Sequence, residues 1–493
     1  MTLMTRLRPK ATPAWSQMVL LAAVAARMAL SVALTILLGR SLSPQEFGFF
    51  ALVATTFGLA HELADMGSGN VAVRGTARAP SAERAMLEAL LGLRLVLGLC
   101  SAAACAVLAL TQGGLPQTAL LLGTAGVLSF SYVSAYSTVF QLRQAQIAPS
   151  VLSVLVQAGT LAASGALVAA HLPGALFAVV LLLREAAVLV GTRALAVRLL
   201  GAAVRPRIRD GSLRPFFGKA AVVAAGTLFY HVQLQGGPFF VQAMRPEAEL
   251  GAFAAALRPL VPVLFVPWVV MLPLVPLLSR LAAVDRSGFQ RQARGALDLS
   301  IGLGAVVACG TYQVAPDVLH VLYGAQFSAG PLSAVATLRW MAGPLGCSFA
   351  TAAVSTVLLA DNREWRLLQL SAVGLAAYAA ANLLLLPRVG FVGSAMATAV
   401  SVSVLTAGAL ALLCGGPGGI APGWRTLGVL APAAVLFALL GSVGGPPLLH
   451  LAVGAAASGL ALAAVLHFPG FAAIRAEQPA LAGHAGQQDT ALA

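Results

Sequence analysis

The chain has 493 residues, of which 59% are hydrophobic and only 9% are charged. A soluble protein carries charge on about a quarter of its residues, so this composition excludes a soluble globular protein. The formal net charge of +14 would suit a nucleic-acid-binding protein, but the positions of the basic residues give a different explanation.

Apolar runs of about 18 to 30 residues recur along the chain, long enough for α-helices to cross a hydrocarbon core and too long for barrel strands. Charged residues, prolines and glycines interrupt them and separate about fourteen spans. The spans are predicted at 16–38, 47–64, 86–110, 117–140, 148–170, 174–197, 217–242, 249–279, 295–315, 330–359, 366–386, 390–413, 425–443 and 446–468. We therefore predict an all-α integral membrane protein with about fourteen transmembrane helices.

The basic residues indicate the orientation of these spans. With the N-terminus in the cytoplasm, 22 of them lie in inside segments and three, Arg40, Arg245 and Arg388, lie outside. This asymmetry satisfies the positive-inside rule and predicts that both termini are cytoplasmic. The first span contains Arg27 and has no clean small-residue cleavage site, so we expect it to remain uncleaved.

An arginine-rich segment near the middle divides the chain. It predicts an N-terminal six-helix lobe over 1–200, a cytoplasmic basic linker over 201–215 and a C-terminal six-helix lobe over 216–414. An extra helix pair over 415–468 and a cytoplasmic tail over 469–493 follow. The five cysteines have no paired spacing and are interpreted as packing residues.

The second and eighth spans begin with similar sequences. EFGFFA at 46–51 and ELGAFA at 249–254 both follow a proline and lie 203 residues apart. Six spans separate them, so both lobes would enter the membrane in the same direction, as in transporters built from parallel repeats. The alternative is that proline and glutamate simply favour the first turn of a helix.

The first hairpin, LSPQEFGFFALVATTFGLAHELADMGSGNVAVR, resembles that of the multidrug/oligosaccharidyl-lipid/polysaccharide exporter superfamily, in particular its polysaccharide-transporter branch with the Wzx-type flippases. Three later segments, in the order of that branch, extend the resemblance over nearly the whole chain: ELGAFAAALRPLVPVLFVPWVVMLPLVPLLSRL, VAPDVLHVLYGAQFSAG and NLLLLPRVGFVGSAMATAVS.

The resemblance implies two pseudo-symmetric six-helix lobes in a V shape, plus a C-terminal helix pair. It implies a bacterial inner-membrane flippase that moves a polyprenyl-diphosphate-linked oligosaccharide to the outer leaflet by alternating access, for O-antigen, capsule or exopolysaccharide synthesis. The expected partners are the undecaprenyl-diphosphate-linked oligosaccharide, the bilayer, a polysaccharide polymerase and chain-length or export proteins. No cofactor is expected, and a proton, Na⁺ or the membrane potential would drive the cycle.

Five arginines fall inside predicted spans, where each costs about 2.5 to 3.5 kcal/mol and normally faces water or a partner. Arginine can bind a diphosphate with bidentate hydrogen bonds. Arg94 lies near the start of its span and is expected to snorkel to the surface. Glu185 adjoins Arg184 and is expected to point to a different helix face. The predicted diphosphate-binding residues are Arg27, Arg258, Arg339 and Arg184, with a structural ion pair or helix-end contact as the alternative for each.

Polar side chains in the seventh span are candidates for sugar contacts, with hydrogen bonding between helices as the alternative: Tyr230, His231, Gln233 and Gln235. Many members of the superfamily carry an acidic residue in this span, and this chain does not. The candidate ion-coupling sites are Glu62, Asp65 and Asp298.

The sequence gives little support to an enzyme. LRPFFGKA, around Lys219, lacks the first glycine and the final hydroxyl of a P-loop, and no metal-site or nucleophile motif appears. We predict a non-enzymatic transporter. The alternatives are a drug or cation antiporter of the same superfamily and, less favoured, a membrane polysaccharide polymerase or ligase.

Overall fold

The computed structural model describes residues 13–65, 83–110, 115–143, 145–208, 219–264, 266–271, 274–415 and 419–421, with a few single positions between 68 and 76. The last two predicted spans and the predicted tail lie outside the described residues. The chain divides into two compact units, Met1–Leu228 and Phe229–Ala493. The predicted lobe boundaries at 200 and 216 stay predictions.

The first unit is built from helices that match the first six predicted spans. They are α1 (Pro13–Ser41), α2 (Pro44–Asp65), α3 (Glu83–Leu110), α4 (Leu115–Ser129), a 3₁₀ helix (Ser131–Tyr136), α5 (Ser137–Leu142), α6 (Ile147–Ala169) and α7 (Ala175–Leu200).

The second unit contains the elements of the next six spans, and α8 begins before the boundary between the units. They are α8 (Lys219–Gln235), α9 (Gly237–Met244), α10 (Glu247–Leu257), α11 (Val261–Leu264), α12 (Val266–Met271), α13 (Leu274–Val284), α14 (Arg286–Tyr323), α15 (Ala325–Ser328), α16 (Val335–Ala360), α17 (Glu364–Val389) and α18 (Val392–Cys414).

Eight described helices are long and apolar enough to cross a membrane, or ten if two bent pairs each form one span. The predicted all-helical membrane fold is confirmed, and the total of fourteen spans stays a prediction. The bent pairs correspond to the fourth and eighth predicted spans, with bends of 41° and 52°. Pro259 and Pro262 explain the second bend, because proline lacks the amide that continues a helix. Gly98 of α3 allows close contact at the first: a Cβ there would lie 2.5 Å from the Ser131 hydroxyl.

A glutamate joins the second and last helices of the first unit. Ser43 and Glu46 form a capping box at the start of α2, in which the Glu46 carboxylate accepts from the Ser43 amide at 3.1 Å and the Ser43 hydroxyl at 2.8 Å. Its other oxygen accepts the backbone N–H of Gly174, the N-cap of α7, at 3.0 Å. One carboxylate thus satisfies the starts of two helices that lie 128 residues apart.

The second unit repeats this contact with different supporting residues. Glu249, in the first turn of α10, accepts the backbone N–H of Phe391, the N-cap of α18, at 3.1 Å. Proline replaces serine at the N-cap of α10, and Arg245 instead holds the carboxylate with bonds of 2.7 and 2.8 Å. The sequence echo between the two lobes therefore marks the same tertiary contact, which favours a true repeat over a coincidental helix start.

The first half of the predicted linker is attached to the first unit. The Tyr136 hydroxyl donates to the carbonyl of Val204 at 3.0 Å, and the Arg207 amide donates to the carbonyl of Glu88 at 3.0 Å. The backbone of Arg207 passes against Gly92, where any side chain would collide with it. Residues 201–208 thus follow the surface of α3 and the 3₁₀ helix.

Replacing Gly174 with alanine tests the glutamate contact in the first unit. The residue has helical φ and ψ of −55° and −30°, so alanine causes no backbone strain, but its Cβ would lie 2.5 Å from the Glu46 carboxyl group. We expect a loss of about 1.5 to 3 kcal/mol, the value of a hydrogen bond to a charged group, seen as a lower thermal unfolding midpoint. Gly126→Ala is the matched control, because a Cβ at Gly126 meets open space. Equal midpoints for the two variants would contradict the contact.

The same contact predicts a pH dependence. Burial alone would raise the pKa of Glu46, but hydrogen bonds from Ser43 and the Gly174 amide outweigh it and hold the pKa below the usual 4.5. A depressed pKa in the folded protein gives stability that is fully present above pH 4.5 and is lost as the pH falls through the folded value. The difference in midpoint between the protein and Glu46→Gln should therefore be constant from pH 7 to about 5 and shrink below that. A difference that stays constant down to pH 3 would argue against an ionised Glu46.

Candidate substrate-binding residues

Arg27 lies at the middle of α1, as the fifteenth of its 29 residues. Its side chain is exposed, and among the described residues it has no hydrogen bond or ion pair. At 1.5 Å per residue, Arg27 is about 20 Å from either end of the helix. A cation at this depth needs water or an anion beside it.

Arg258 lies at the bend of the eighth span. It directly follows the last residue of α10, its own amide still bonds to Ala254 at 3.0 Å, and Pro259 comes next. Its side chain is half-buried and close enough to Tyr323, at the end of α14, for the two groups to interact electrostatically. The bend thus places a cation within a membrane-spanning segment, beside a polar aromatic ring.

Arg339 is near the start of α16 and contacts α14. Its guanidinium donates to the carbonyl of Tyr312 at 3.4 Å and lies 5.1 Å from the centre of the Tyr312 ring, within cation–π range. Both predicted arginines of the second unit therefore lie beside tyrosines of α14. The sequence interpretation missed Tyr312 and Tyr323, because an aromatic residue in an apolar helix gives no signal of its own.

Arg184 forms an ion pair with Glu185, with Nη2 and Oε1 2.6 Å apart. From their adjacency we expected Arg184 and Glu185 to point to different helix faces and not to pair. The ion pair shows that this expectation was wrong. Their Cβ atoms do diverge around the helix, but the long, flexible arginine side chain bends back to reach the carboxylate. The pair neutralises much of the charge that Arg184 could offer to a ligand.

The sequence predicted that Arg94 snorkels to the surface, and this prediction was wrong. Arg94 is only 2% exposed, and its guanidinium donates to the hydroxyls of Ser68 at 3.2 Å and Ser134 at 2.8 Å. Ser134 belongs to the 3₁₀ helix that interrupts the fourth span. The break in that span opens space for the guanidinium, so Arg94 holds the bent fourth span against α3.

Gln233 of the seventh span connects three helices of the second unit. It is fully buried; its amide nitrogen donates to the carbonyl of Ser371 on α17 at 3.0 Å, and its oxygen accepts from the Ser401 hydroxyl on α18 at 2.6 Å. Gly374 makes room for it, since a Cβ there would lie 2.6 Å from the Gln233 oxygen. For Gln233, the structure therefore shows hydrogen bonding between helices, which was the alternative to a sugar contact.

The other candidates of the seventh span are differently placed. Tyr230 is 5% exposed, faces Ser348 and Cys347 and packs edge-on against the His231 ring, with centroids 6.4 Å apart. His231 and Gln235 are half-buried.

The ion-coupling candidates lie on two different helices. Glu62 and Asp298 are half-buried on α2 and α14, in different units, and the Asp65 side chain lies outside the described residues. In the part of the chain that the structure describes, no group of three or more His, Cys, Asp or Glu side chains could hold a metal ion.

Comparison with known proteins identifies the family. The sequence matches the polysaccharide biosynthesis protein family over residues 16–282, more than half of the chain. The chain belongs to this family. The fold is similar to that of the lipid II flippase MurJ in an inward closed conformation, with 12% identity, 91% of this chain and 99% of that chain covered, and a TM-score of 0.68.

A second similar structure is an inward-facing multidrug resistance MATE family transporter of the MOP superfamily, with 13% identity, coverage of 77% and 92%, and a TM-score of 0.52. No curated protein sequence matches the chain significantly. The predicted membership of the multidrug/oligosaccharidyl-lipid/polysaccharide exporter superfamily is confirmed. The two solved structures are a flippase and a transporter by description, and the likeness in structure at this identity concerns the fold alone.

The hydrogen bonds of Gln233 predict that this residue stabilises the fold, whereas Gln235 contributes little to stability. Gln233→Leu removes the hydrogen bonds that join Gln233 to the Ser371 carbonyl and to the Ser401 hydroxyl, although that hydroxyl still donates to the Gly374 carbonyl, and each lost bond costs about 0.5 to 1.5 kcal/mol. We expect this variant to unfold at a clearly lower temperature, whereas Gln235→Leu, two residues along α8, should unfold near the unmodified protein. A Gln235→Leu variant that is equally destabilised would show that the span tolerates no apolar replacement and would refute the special role of Gln233.

Proposed function

We propose that the protein is a flippase that moves a polyprenyl-diphosphate-linked oligosaccharide across the bacterial inner membrane by alternating access. It would act in the synthesis of O-antigen, capsule or exopolysaccharide, with both termini in the cytoplasm. The family match and the fold support a transporter of this superfamily; the oligosaccharide is inferred from the family resemblance, and the diphosphate is supported by the arginines within the spans.

The observation that carries the proposal is the position of Arg27 and Arg258. Each unit holds one arginine deep within an early span, Arg27 exposed at the middle of α1 and Arg258 half-buried at a helix bend. Such positions are costly unless the cation meets water or an anion. A diphosphate is an anion that arginine can bind bidentately, so these two residues are the proposed primary ligands.

The remaining candidates have secondary places in this proposal. Arg339, held over Tyr312, is a further proposed ligand of the headgroup. Arg184 would bind it only if the headgroup replaced Glu185 as the partner of its guanidinium. Tyr230, His231 and Gln235 are proposed sugar contacts, while Gln233 keeps their helix in place. Glu62, Asp65 and Asp298 are proposed coupling sites for a proton or Na⁺, with the membrane potential as the other source of energy. The proposed partners are a polymerase and chain-length or export proteins.

An antiporter of cationic drugs is the competing function in the same superfamily. Cationic substrates favour carboxylates in the transport path, whereas the deep charges described in this chain include two exposed or half-buried arginines. The sign of these charges therefore favours an anionic headgroup.

Deletion of the gene, followed by mass analysis of polyprenyl-diphosphate lipids, tests the function. Complete repeat units that accumulate on the inner leaflet, protected from an external glycosidase, together with loss of surface polymer, are the expected result. Repeat units that still reach the outer leaflet would refute the flippase. Increased sensitivity to cationic drugs would then favour the antiporter, and single units accumulating outside would favour a polymerase.

Complementation of that deletion tests the two arginines. Arg27→Ala and Arg258→Ala should each reduce export of repeat units about tenfold or more, because loss of a charge-assisted hydrogen bond worth about 1.5 kcal/mol weakens binding at least tenfold. Arg27→Lys and Arg258→Lys keep the charge but not the planar fork and should fall between.

Arg198→Ala is the control, because Arg198 is an exposed arginine in the last turn of α7. It should export normally. Membrane abundance and the thermal midpoint of each variant separate loss of binding from loss of folding. Full export by both alanine variants would remove the proposed binding mechanism while leaving the flippase function itself to the deletion experiment.

A further inference from the structure

A groove lies between α1 and α6 at the end of α1. It has a volume of about 510 Å³ and is lined by Ala33, Ile36, Leu37, Arg40, Ser41 and Leu161. We call it the α1–α6 groove. Four of its α1 residues occupy positions i, i+3, i+4 and i+7, so they form one stripe along the helix. Leu161 forms the opposite wall on α6.

The described residues leave this part of the first unit largely uncovered. In the most apolar 18-residue stretch of each helix, only 6% of the residues of α1 and 17% of those of α6 are buried. On α6, a Cβ added at Gly159 or Gly165 would meet open space. Since both helices are apolar enough to span a membrane, hydrocarbon chains, rather than water, are the natural filling of the groove.

The groove is amphipathic along its length. Its walls are apolar, and among the described residues the one charged lining residue is Arg40, the next-to-last residue of α1. The end of a membrane-spanning helix lies near the headgroup region, and the stripe from Ala33 to Arg40 extends about 10 Å toward the membrane interior. This order, a cation at the surface and hydrocarbon below, complements a lipid with an anionic headgroup.

The charge of the groove distinguishes between kinds of lipid. One guanidinium matches the single negative charge of a phosphodiester better than the several charges of a diphosphate. Arg40 also has a contact within the protein, but its five N–H donors can serve a protein acceptor and a phosphate together. The Ser41 hydroxyl at the same end could donate a further hydrogen bond.

We propose that the α1–α6 groove binds one anionic phospholipid, whose phosphodiester pairs with Arg40 and whose acyl chain covers Ala33, Ile36, Leu37 and Leu161. The bound lipid would attach α1 to α6 along a face that the described residues leave open. Because α1 also carries Arg27, the lipid would fix the position of the proposed diphosphate ligand. The lipid site itself does not depend on the proposed function.

Native mass spectrometry of the purified full chain tests the proposal. Detergent-purified protein is mixed with phosphatidylglycerol or phosphatidylcholine of identical acyl chains, and retained lipid is counted after collisional activation. We expect one phosphatidylglycerol to be retained at about tenfold lower lipid concentration than phosphatidylcholine, and to raise the thermal midpoint. Arg40→Gln should abolish this preference, and Ala33→Trp, which fills the groove, should abolish retention of either lipid.

Two variants of the second unit serve as controls. Arg388→Gln removes an exposed charge from the last turn of α17, and Val400→Trp enlarges a side chain that is 46% exposed on α18. Both should bind phosphatidylglycerol as the unmodified protein does. Equal retention of the two lipids, or unchanged retention by Arg40→Gln and Ala33→Trp with normal thermal midpoints, would overturn the site. Preferential retention of a polyprenyl diphosphate that both variants abolish would overturn the phospholipid and assign the groove to the transported lipid.

Discussion

Each unit depends on a carboxylate that joins the starts of two helices, α2 and α7 in the first unit and α10 and α18 in the second. Membrane helices gain little from hydrophobic association, because lipid is as apolar as their side chains, so polar contacts must fix which helices are neighbours. Glu46 and Glu249 do this by accepting a backbone amide from the N-cap of α7 and α18. The helix starts also present the positive ends of their dipoles, which favours an ionised carboxylate between them.

Within this frame, breaks in the helices determine where polar side chains lie. The 3₁₀ helix of the fourth span brings Ser134 to Arg94, and the proline-rich bend of the eighth span places Arg258 inside the second unit. A continuous helix satisfies its own backbone and can press its neighbours closely, leaving little room for a guanidinium. The two breaks therefore have opposite uses: one encloses a cation among hydroxyls, and the other leaves a cation half-buried beside α14.

The sequence predicted most of the fold because apolar length and interruptions act locally. All twelve predicted spans in the described part of the chain coincide with helices, and the echo of EFGFFA in ELGAFA identified equivalent positions in the two units. The contacts of polar residues could not be predicted, since a polar group in a span is satisfied either by a neighbouring helix or by a cavity. Gln233 and Arg94 form hydrogen bonds between helices, whereas Arg27 has none among the described residues, and the sequence predicted neither of the two contacts that the structure shows. Arg184 shows that helical position alone does not exclude an ion pair between sequence neighbours, because its long side chain reaches Glu185 from a different helix face.

The contrast between Arg94 and Arg27 gives the strongest reason to place function in the arginines. Arg94 is enclosed by serine hydroxyls that solvate its charge, so its role is explained by packing alone. Arg27 lies at the middle of α1 and has no such partner among the described residues, and little of the most apolar stretch of that helix is buried. Among the described residues, therefore, no hydrogen bond or ion pair offsets its insertion cost. A cation at this depth needs water or an anion beside it, and an anionic lipid headgroup is the ligand that we propose for it.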